Sequence, residues 1–341
     1  MKIILDAMGG DFAPAVPCEA AAAAAEKLGV EIVLVGRESD IRRELAKHKY
    51  DSSKISIVNA DEVITNEEEP VKALKQKKNA SVVVAANMLK NGDGDAMLSC
   101  GSTGALLAAG LLIVGRIKGV QRPALATLLP SEKGPVLLVD AGANTNCRAD
   151  NLVQFAVMGN IYMRDVLGIS TPRVGLMSNG TEEGKGDNLT KEAYPLLKEQ
   201  SFNFIGNIEG RDVMEGNADV IVCDGFVGNV VLKAAEGLAT AILTMVKEAI
   251  LNGGFLAKIG GLLIKPALRG LKKRLDPEAY GGALLLGVRA PFFICHGSSK
   301  AKAIKNAIGA AVDGVERNIC SRIAEDIARQ TKADKVVGTL R

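Results

Sequence analysis

Apolar runs of four to six residues recur along the chain, separated by longer stretches whose apolar residues return every three or four positions. Short continuous apolar runs predict buried strands, and the 3.6-residue period predicts helices packed on them. Strands are predicted at 2–5, 31–35, 54–59, 95–99, 135–140, 173–177, 202–206 and 219–223. Helices are predicted near 15–29, 38–48, 80–90, 103–116, 150–167, 188–199 and 229–251, with a long C-terminal helix over 298–330. This alternation predicts an α/β fold: a doubly wound, mostly parallel sheet flanked by helices and joined by right-handed crossovers. No internal repeat or low-complexity linker divides residues 1–341, which read as a single α/β/α unit.

Residues 249–280 break the rhythm. From Ala249 to Leu275 there are six basic residues and no acidic one. Phe255, Ile259, Leu262 and Leu263, then Leu268, Leu271 and Leu275, fall at helical spacing, and Pro266 separates the two runs. The pattern predicts an amphipathic basic hairpin of two short helices. Leu262, Leu263, Lys265, Leu268, Arg269, Lys272 and Lys273 are its candidate contacts with a membrane or a carrier protein.

Composition narrows the function. Aromatic residues make up 4% of the chain, there is no Trp, and 42 basic residues face 39 acidic ones, for a net charge of +3. That balance disfavours nucleic acid as a partner. No charged leader with an apolar core opens the sequence, and the longest apolar stretch, Ala105–Val114, is too short for a bilayer, so a cytoplasmic protein is expected. Six cysteines without a C-x-x-C pair argue against structural zinc or a disulfide framework. Only His48 and His296 are present, which restricts histidine-based catalysis.

Five turns that follow predicted strands share one chemistry of small residues, exposed backbone N–H groups and short polar side chains. They are 6–11, 100–104, 140–146, 178–186 and 224–229. Successive N–H groups in such turns can form an anion-binding nest. Asp6, Gly9, Gly10, Gly101, Ser102, Thr103, Gly142, Asn144, Gly180, Thr181, Asp224 and Gly228 are therefore candidate phosphate-binding residues; the alternative is that the glycines only close βα turns.

The 178–186 turn adds a cation. Gly180 to Gly186 superficially suggests a P-loop, but three residues rather than four separate Gly180 from Gly184, and Gly186 stands where the metal-ligating Ser or Thr belongs. Lys185 between two glycines still suits an exposed loop that reaches a phosphate or a developing oxyanion, as does an ordinary surface lysine. No G-x-G-x-x-G lies between a strand and a helix, which weakens a dinucleotide reading. Asn229 is either the cap of the 229–251 helix or a carboxamide donor to an oxyanion. Asp6, Asp11, Asp140 and Asp224 read as turn-shaping carboxylates in preference to a metal cluster. Cys100, Cys147 and Cys223 read as packing residues in preference to nucleophiles.

Residues 6–11, 101–105, 113–119, Arg122-Pro123-Ala124, 180–182, Lys185-Gly186, 224–226, Gly228-Asn229 and His296-Gly297-Ser298-Ser299 occur in the order of one family. The chain resembles the bacterial phosphate acyltransferases of the PlsX family over residues 2 to about 316. The resemblance implies a fold like isopropylmalate dehydrogenases and phosphotransacetylases, one catalytic unit, and a homodimer. It implies attack of inorganic phosphate on the thioester of a long-chain acyl carrier protein, giving the acyl phosphate that feeds glycerophospholipid synthesis through a glycerol-3-phosphate acyltransferase. It implies that Lys185 and Asn229 are catalytic, and it adds His296 to the phosphate-binding set. Phe12 stands where the family often has His, and Asp187 where Asn is common.

A thioester is already activated and phosphate is already nucleophilic, so neither cofactor, metal nor covalent enzyme intermediate is expected. Lys185 is expected to position phosphate and Asn229 to donate to the oxyanion. The basic hairpin is expected to lie against the inner face of the cytoplasmic membrane, to meet the acidic carrier protein, or to pack in the dimer. A short-chain phosphotransacetylase, a nicotinamide-dependent dehydrogenase and a non-catalytic membrane scaffold are the competing readings.

Overall fold

In the computed structural model residues 1–274 and 280–339 are described; of 272–274 and 330–339 only the backbone is described. The eleven strands are β1 (Lys2–Asp6), β2 (Glu31–Gly36), β3 (Ile55–Asn59), β4 (Ala96–Ser99), β5 (Ala124–Leu129), β6 (Val136–Val139), β7 (Arg173–Met177), β8 (Asn203–Ile208), β9 (Val220–Val222), β10 (Ala283–Leu286) and β11 (Phe292–Ile294). They form one sheet in the order β3-β2-β1-β4-β11-β10-β5-β6-β9-β7-β8. Helices α1 (Ala15–Leu28), α2 (Glu38–Leu45), α3 (Pro70–Gln76), α4 (Ser81–Asn91), α5 (Thr103–Ala109) and α6 (Ala149–Ile161) belong to the first half of the chain. The second half supplies α7 (Asn188–Lys198), α8 (Gly210–Glu215), α9 (Gly225–Asn252), α10 (Gly254–Arg274), α11 (Ala301–Glu316) and α12 (Ile319–Thr339).

The expected mostly parallel sheet with helices on both faces is what the chain forms. Ile3 and Leu5 of β1 bury against one helical layer, in a core shared with Ala20, Ala21 and Ala24 of α1, Phe155 of α6 and Ile304 of α11. Ile4 buries on the opposite face with Val83 and Ala86 of α4 and Leu106 of α5. The alanine-rich face of α1 has almost no side chain to hold it off the sheet, which explains the composition.

All eight strands read from the apolar runs are present. Three are new. β10 and β11 follow one another with no helix between them, as do β5 and β6, so the strand–helix alternation does not mark them. These three make the only antiparallel pairings among the described strands: β11 with β10, β10 with β5, and β5 with β6. Strand sense therefore reverses across the middle of the sheet. The C-terminal ends of β1, β4 and β11 lie along one edge, and those of β6, β9 and β7 along the other.

Three helix expectations are corrected. The C-terminal helix is two, α11 and α12, broken at Asn318, whose φ of 54° leaves the helical region. The helix expected from 229 begins at Gly225, because the Asp224 carboxylate accepts from the N–H groups of Phe226 and Val227 and caps it. Pro266 does not split the basic segment: α10 runs through it, and the hairpin bends at Gly253–Gly254, so its first arm is the far half of α9. Gly261 of α10 lies against Ile250 of α9. Residues 275–279 at the end of the expected hairpin, and the side chains of Lys272 and Lys273, lie outside the described residues.

The α9–α10 arm exposes a large apolar surface, including Leu238, Met245, Phe255, Leu256, Leu262 and Leu263. By length and composition α9 is apolar enough to cross a membrane. The expectation that no segment reaches that length overlooked it because polar residues such as Lys233 and Glu236 interrupt its apolar run.

Candidate active site

The register of β6, β9 and β7 sets Val139, Val222 and Leu176 side by side. The chain thus leaves the sheet along one line, into turns at Asp140, Asp224 and Ser178. Asp140 organises the first turn. Its Oδ1 accepts from the N–H groups of Leu125, Gly142 and Ala143 at 2.9, 3.1 and 2.9 Å. Its Oδ2 accepts from the Asn144 N–H and from Asn144 Nδ2, both at 2.7 Å. Burial pushes this carboxyl up from its ordinary range, and the bonds from Ala143, Asn144, Leu125 and Gly142 pull against that. Four of the five donors come from the turn and one from Leu125 of β5, so Asp140 is the hub that ties the turn's backbone to the sheet.

The second turn locks onto the first. The Gly225 N–H donates to the Asn144 carbonyl at 2.7 Å, and the Asp140 N–H to the Cys223 carbonyl at 3.1 Å. A side chain at Gly228 would overlap the Asp140 carbonyl oxygen, so only glycine lets α9 start this close to the β6 turn. One residue on, the exposed Asn229 stands beside Gly142: a Cβ on Gly142 would be 3.7 Å from Asn229 Oδ1. Capping thus belongs to Asp224, and the Asn229 carboxamide is turned to the Gly142 turn.

The third turn carries Lys185, which is exposed. Its backbone N–H donates to the Glu182 carbonyl at 3.0 Å, and the Gly186 N–H to Asn179 Oδ1 at 2.9 Å. Asn207 Nδ2 pins the Glu182 carbonyl at 2.8 Å, and Asp187 caps α7 by accepting from the Thr190 N–H at 2.8 Å. Asp187 therefore has a local role of its own at the position where asparagine is common. The Lys185 stem passes over Gly180, while Thr181 is exposed at the tip. Beside these turns a groove of about 590 Å³ runs between the starts of α6 and α7, lined by Cys147, Arg148, Asp150, Leu189, Glu192 and Leu196.

A second group assembles at the other edge of the sheet. Asp6 Oδ2 accepts from Ser99 Oγ at 2.7 Å, and Ser99 Oγ in turn accepts from the Gly101 N–H at 3.0 Å. Gly9 lies so close that a Cβ there would stand 2.6 Å from the Gly101 nitrogen. The Asp11 N–H donates to the Gly297 carbonyl at 2.8 Å, which joins Gly10 and Asp11 to the 296–299 loop. Burial pushes the Asp6 carboxyl up, against hydrogen bonds from Ser99 and Ser81. Ser102 and Thr103 open α5 next to Gly101, and His296 is exposed with its Nδ1 2.8 Å from Ser298 Oγ. Lys300 Nζ lies over the ring of Phe12, 3.1 Å from its centroid.

The candidate residues therefore fall into two groups. Gly142, Asn144, Asp224, Gly228 and Asn229 meet, with Gly180, Thr181 and Lys185 on the neighbouring strand end. Asp6, Gly9, Gly10, Gly101, Ser102, Thr103 and His296 stand together at the opposite edge. Sequence reasoning passed over the bridging Ser99 and quoted Pro123 only as part of the Arg122-Pro123-Ala124 motif, whereas its carbonyl accepts from Asn144 Nδ2 at 2.7 Å. Ser99 had a legible signal in its place at a strand end just before Cys100-Gly101.

Two of the three candidate thiols, Cys147 and Cys223, are held protonated. Cys223 is buried and pushed well up by desolvation and by Asp140 and Asp224. Cys147 is pushed up to about 11 by burial and the same two carboxylates. Among the described residues no three His, Cys, Asp or Glu side chains group as a metal site would require.

A phosphotransacetylase from Streptococcus pyogenes superposes with a TM-score of 0.59 at 17% identity, over 92% of this chain and 94% of that one. A branched-chain phosphotransacylase from Enterococcus faecalis superposes with a TM-score of 0.57 at 15% identity, over 92% and 99%. The fold is thus of the phosphotransacylase kind. The family model described as fatty acid synthesis protein matches residues 1–322. A phosphate acyltransferase of Pelotomaculum thermopropionicum is 51% identical over 338 residues, which cover 99% of this chain and 97% of that protein. One from Clostridioides difficile is 45% identical over 336 residues, 98% of each chain. The chain belongs to this fatty acid synthesis protein family and is an enzyme of the phosphate acyltransferase kind.

Proposed function

We propose that the enzyme transfers an acyl group from the thioester of an acyl carrier protein to inorganic phosphate. The supporting observation is the junction of the Asp140 and Asp224 turns, which sets the Asn229 carboxamide beside the backbone of Gly142, one strand from the Lys185 loop. Lys185 holds the phosphate dianion within about 3–3.5 Å of the thioester carbon. A phosphate oxygen forms the new C–O bond while the carbonyl electrons move onto oxygen. Asn229 Nδ2 donates to that oxyanion, while the N–H groups of the Gly142 and Gly228 turns are taken up in holding the turns together. Its collapse breaks the C–S bond and expels the carrier thiolate, and the proton of the phosphate passes through solvent to the thiol. No covalent enzyme intermediate forms, in keeping with thiols that burial keeps protonated.

In this reading residues 1–341 work as one catalytic unit and the α9–α10 arm is its appendage. The exposed Leu262 and Leu263 beside Lys265 and Arg269, with Leu268 half-buried, suit the interface of an anionic bilayer. There the amphiphilic acyl phosphate would pass to a glycerol-3-phosphate acyltransferase and enter glycerophospholipid synthesis. The long apolar flank of α9 suits pairing with a second copy in a homodimer.

Purified protein incubated with acyl carrier protein thioester and phosphate, with hydroxylamine trapping of the product, tests the reading. Phosphate-dependent acyl hydroxamate is expected. Its absence, or equal formation from short-chain acyl coenzyme A alone, overturns it.

A further inference from the structure

Five cations surround the loop at 115–122: Arg116, Lys118, Arg122, Arg148 and Arg289. All are exposed. Among the described residues none of them lies within 4.0 Å of a carboxylate, while fifteen ion pairs form elsewhere. The chain has nearly as many acidic as basic residues, so this clustering of unpaired charge is local.

The cluster is held by neutral acceptors. The Arg116 guanidinium donates to the Gln121 carbonyl, and Arg289 Nε to the Arg116 carbonyl at 3.1 Å. Gln121 Oε1 accepts from Arg148 Nη2 at 2.8 Å and from Asn151 Nδ2 at 2.9 Å. The Gln121 N–H donates to Gln154 Oε1 at 2.8 Å, and Gln154 Nε2 to the Gly119 carbonyl at 2.9 Å. These bonds fix the loop without cancelling its charge, so like charges are held together against their mutual repulsion.

The cluster adjoins the reacting turns. Pro123, next to Arg122, accepts from Asn144 Nδ2, and Arg148 borders the groove beside Cys147. A single phosphate dianion needs only one or two of these cations. The loop's own apolar residues, Ile117 and Val120, are buried, so it lacks the apolar tip that the α9–α10 arm offers a bilayer. What remains is a broad acidic protein surface brought to the site's rim.

We propose that this cationic face docks the acidic carrier protein that delivers the acyl thioester. The proposal rests on the acyl-transfer reading above and adds the surface that selects its substrate. Lys118 and Arg122 make no side-chain hydrogen bond among the described residues, so reversing both leaves the loop framework intact.

The test compares the parent with Lys118→Glu/Arg122→Glu on two substrates, acyl carrier protein thioester and the carrier-free acyl pantetheine thioester. The expected result is a KM for the carrier substrate raised about tenfold or more, with a flattened salt dependence. The kcat values and the KM for acyl pantetheine stay within about twofold. An unchanged carrier KM and salt slope overturns the proposal. So does an equal loss on both substrates, which would assign the cations to phosphate. So does loss of binding to anionic vesicles with the carrier KM intact. If the parent makes no acyl phosphate, the acyl-transfer reading fails instead; calorimetric titration of both proteins with acyl carrier protein then tests docking alone, and equal binding rejects it.

Discussion

Gly228 packs directly beneath the Asp140 carbonyl oxygen, with no room for a Cβ between them. This contact joins the start of α9 to the β6 turn and so decides where Asn229 stands. Gly228→Ala is expected to push α9 off the turn. Overpacking at a site this tight costs about 1–3 kcal/mol. Thermal melting should fall by several degrees, and acyl phosphate formation should drop further than stability alone explains.

Asn229→Ala and Lys185→Ala remove exposed side chains, so both variants should melt like the parent. Loss of one oxyanion donor lowers kcat by about 100–1,000-fold, which is the outcome expected for Asn229→Ala. Lys185→Ala should chiefly raise the KM for phosphate. Parent-like phosphate kinetics in both variants would remove them from the reaction centre.

Cys147 lies near the site with its thiol pushed up to about 11, so it is almost wholly protonated at pH 7. Cys147→Ala should keep turnover within a few-fold. Mass spectrometry of acid-quenched enzyme should find no acylated cysteine.

Arg173 and Asp219 tie the start of β7 to β9, with Nη2 to Oδ1 at 2.8 Å, Nε to Oδ2 at 3.0 Å, and the Arg173 N–H to Oδ2 at 2.7 Å. Burial opposes ionisation of Asp219, but the Arg173 bonds win and hold its carboxyl below the ordinary value. A lowered folded value means that its stabilisation is present above the unfolded pKa, about 3.9, and is lost as pH falls through the folded one. Asp219→Asn should cost about 1.5–3 kcal/mol at pH 7 in denaturant melts. The difference from the parent should shrink below about pH 4.

On α10, Leu262 and Leu263 are 68% and 76% exposed. Leu262→Glu/Leu263→Glu should abolish cosedimentation with anionic vesicles while leaving solution turnover unchanged. Undiminished sedimentation would exclude a membrane role for this face.

Much of this fold was legible because its central strands are buried on both sides. The runs at Ile3-Ile4-Leu5 and Val220-Ile221-Val222 have no other stable place, and the glycine-rich turns after them mark where each strand ends. β10 and β11 were not legible, though β9 is as short, because no helix lies between them and the strand–helix alternation that marks the other strands does not mark these. The Pro266 reading failed for a related reason: local propensity disfavours proline in a helix, and contact of α10 with α9 overrides it.

The sequence by itself determined the α/β class and the family and marked the candidate residues for the chemistry, because those are properties of composition, period and local motif. Only the tertiary structure decided which of them meet. The antiparallel pairings of β10 and β5 reverse strand sense, so Asp6 and Asp140, similar in their local sequence, end at opposite edges of one sheet. Strand order and sense arise from long-range hydrogen bonding between segments far apart in the chain, and no local pattern records them.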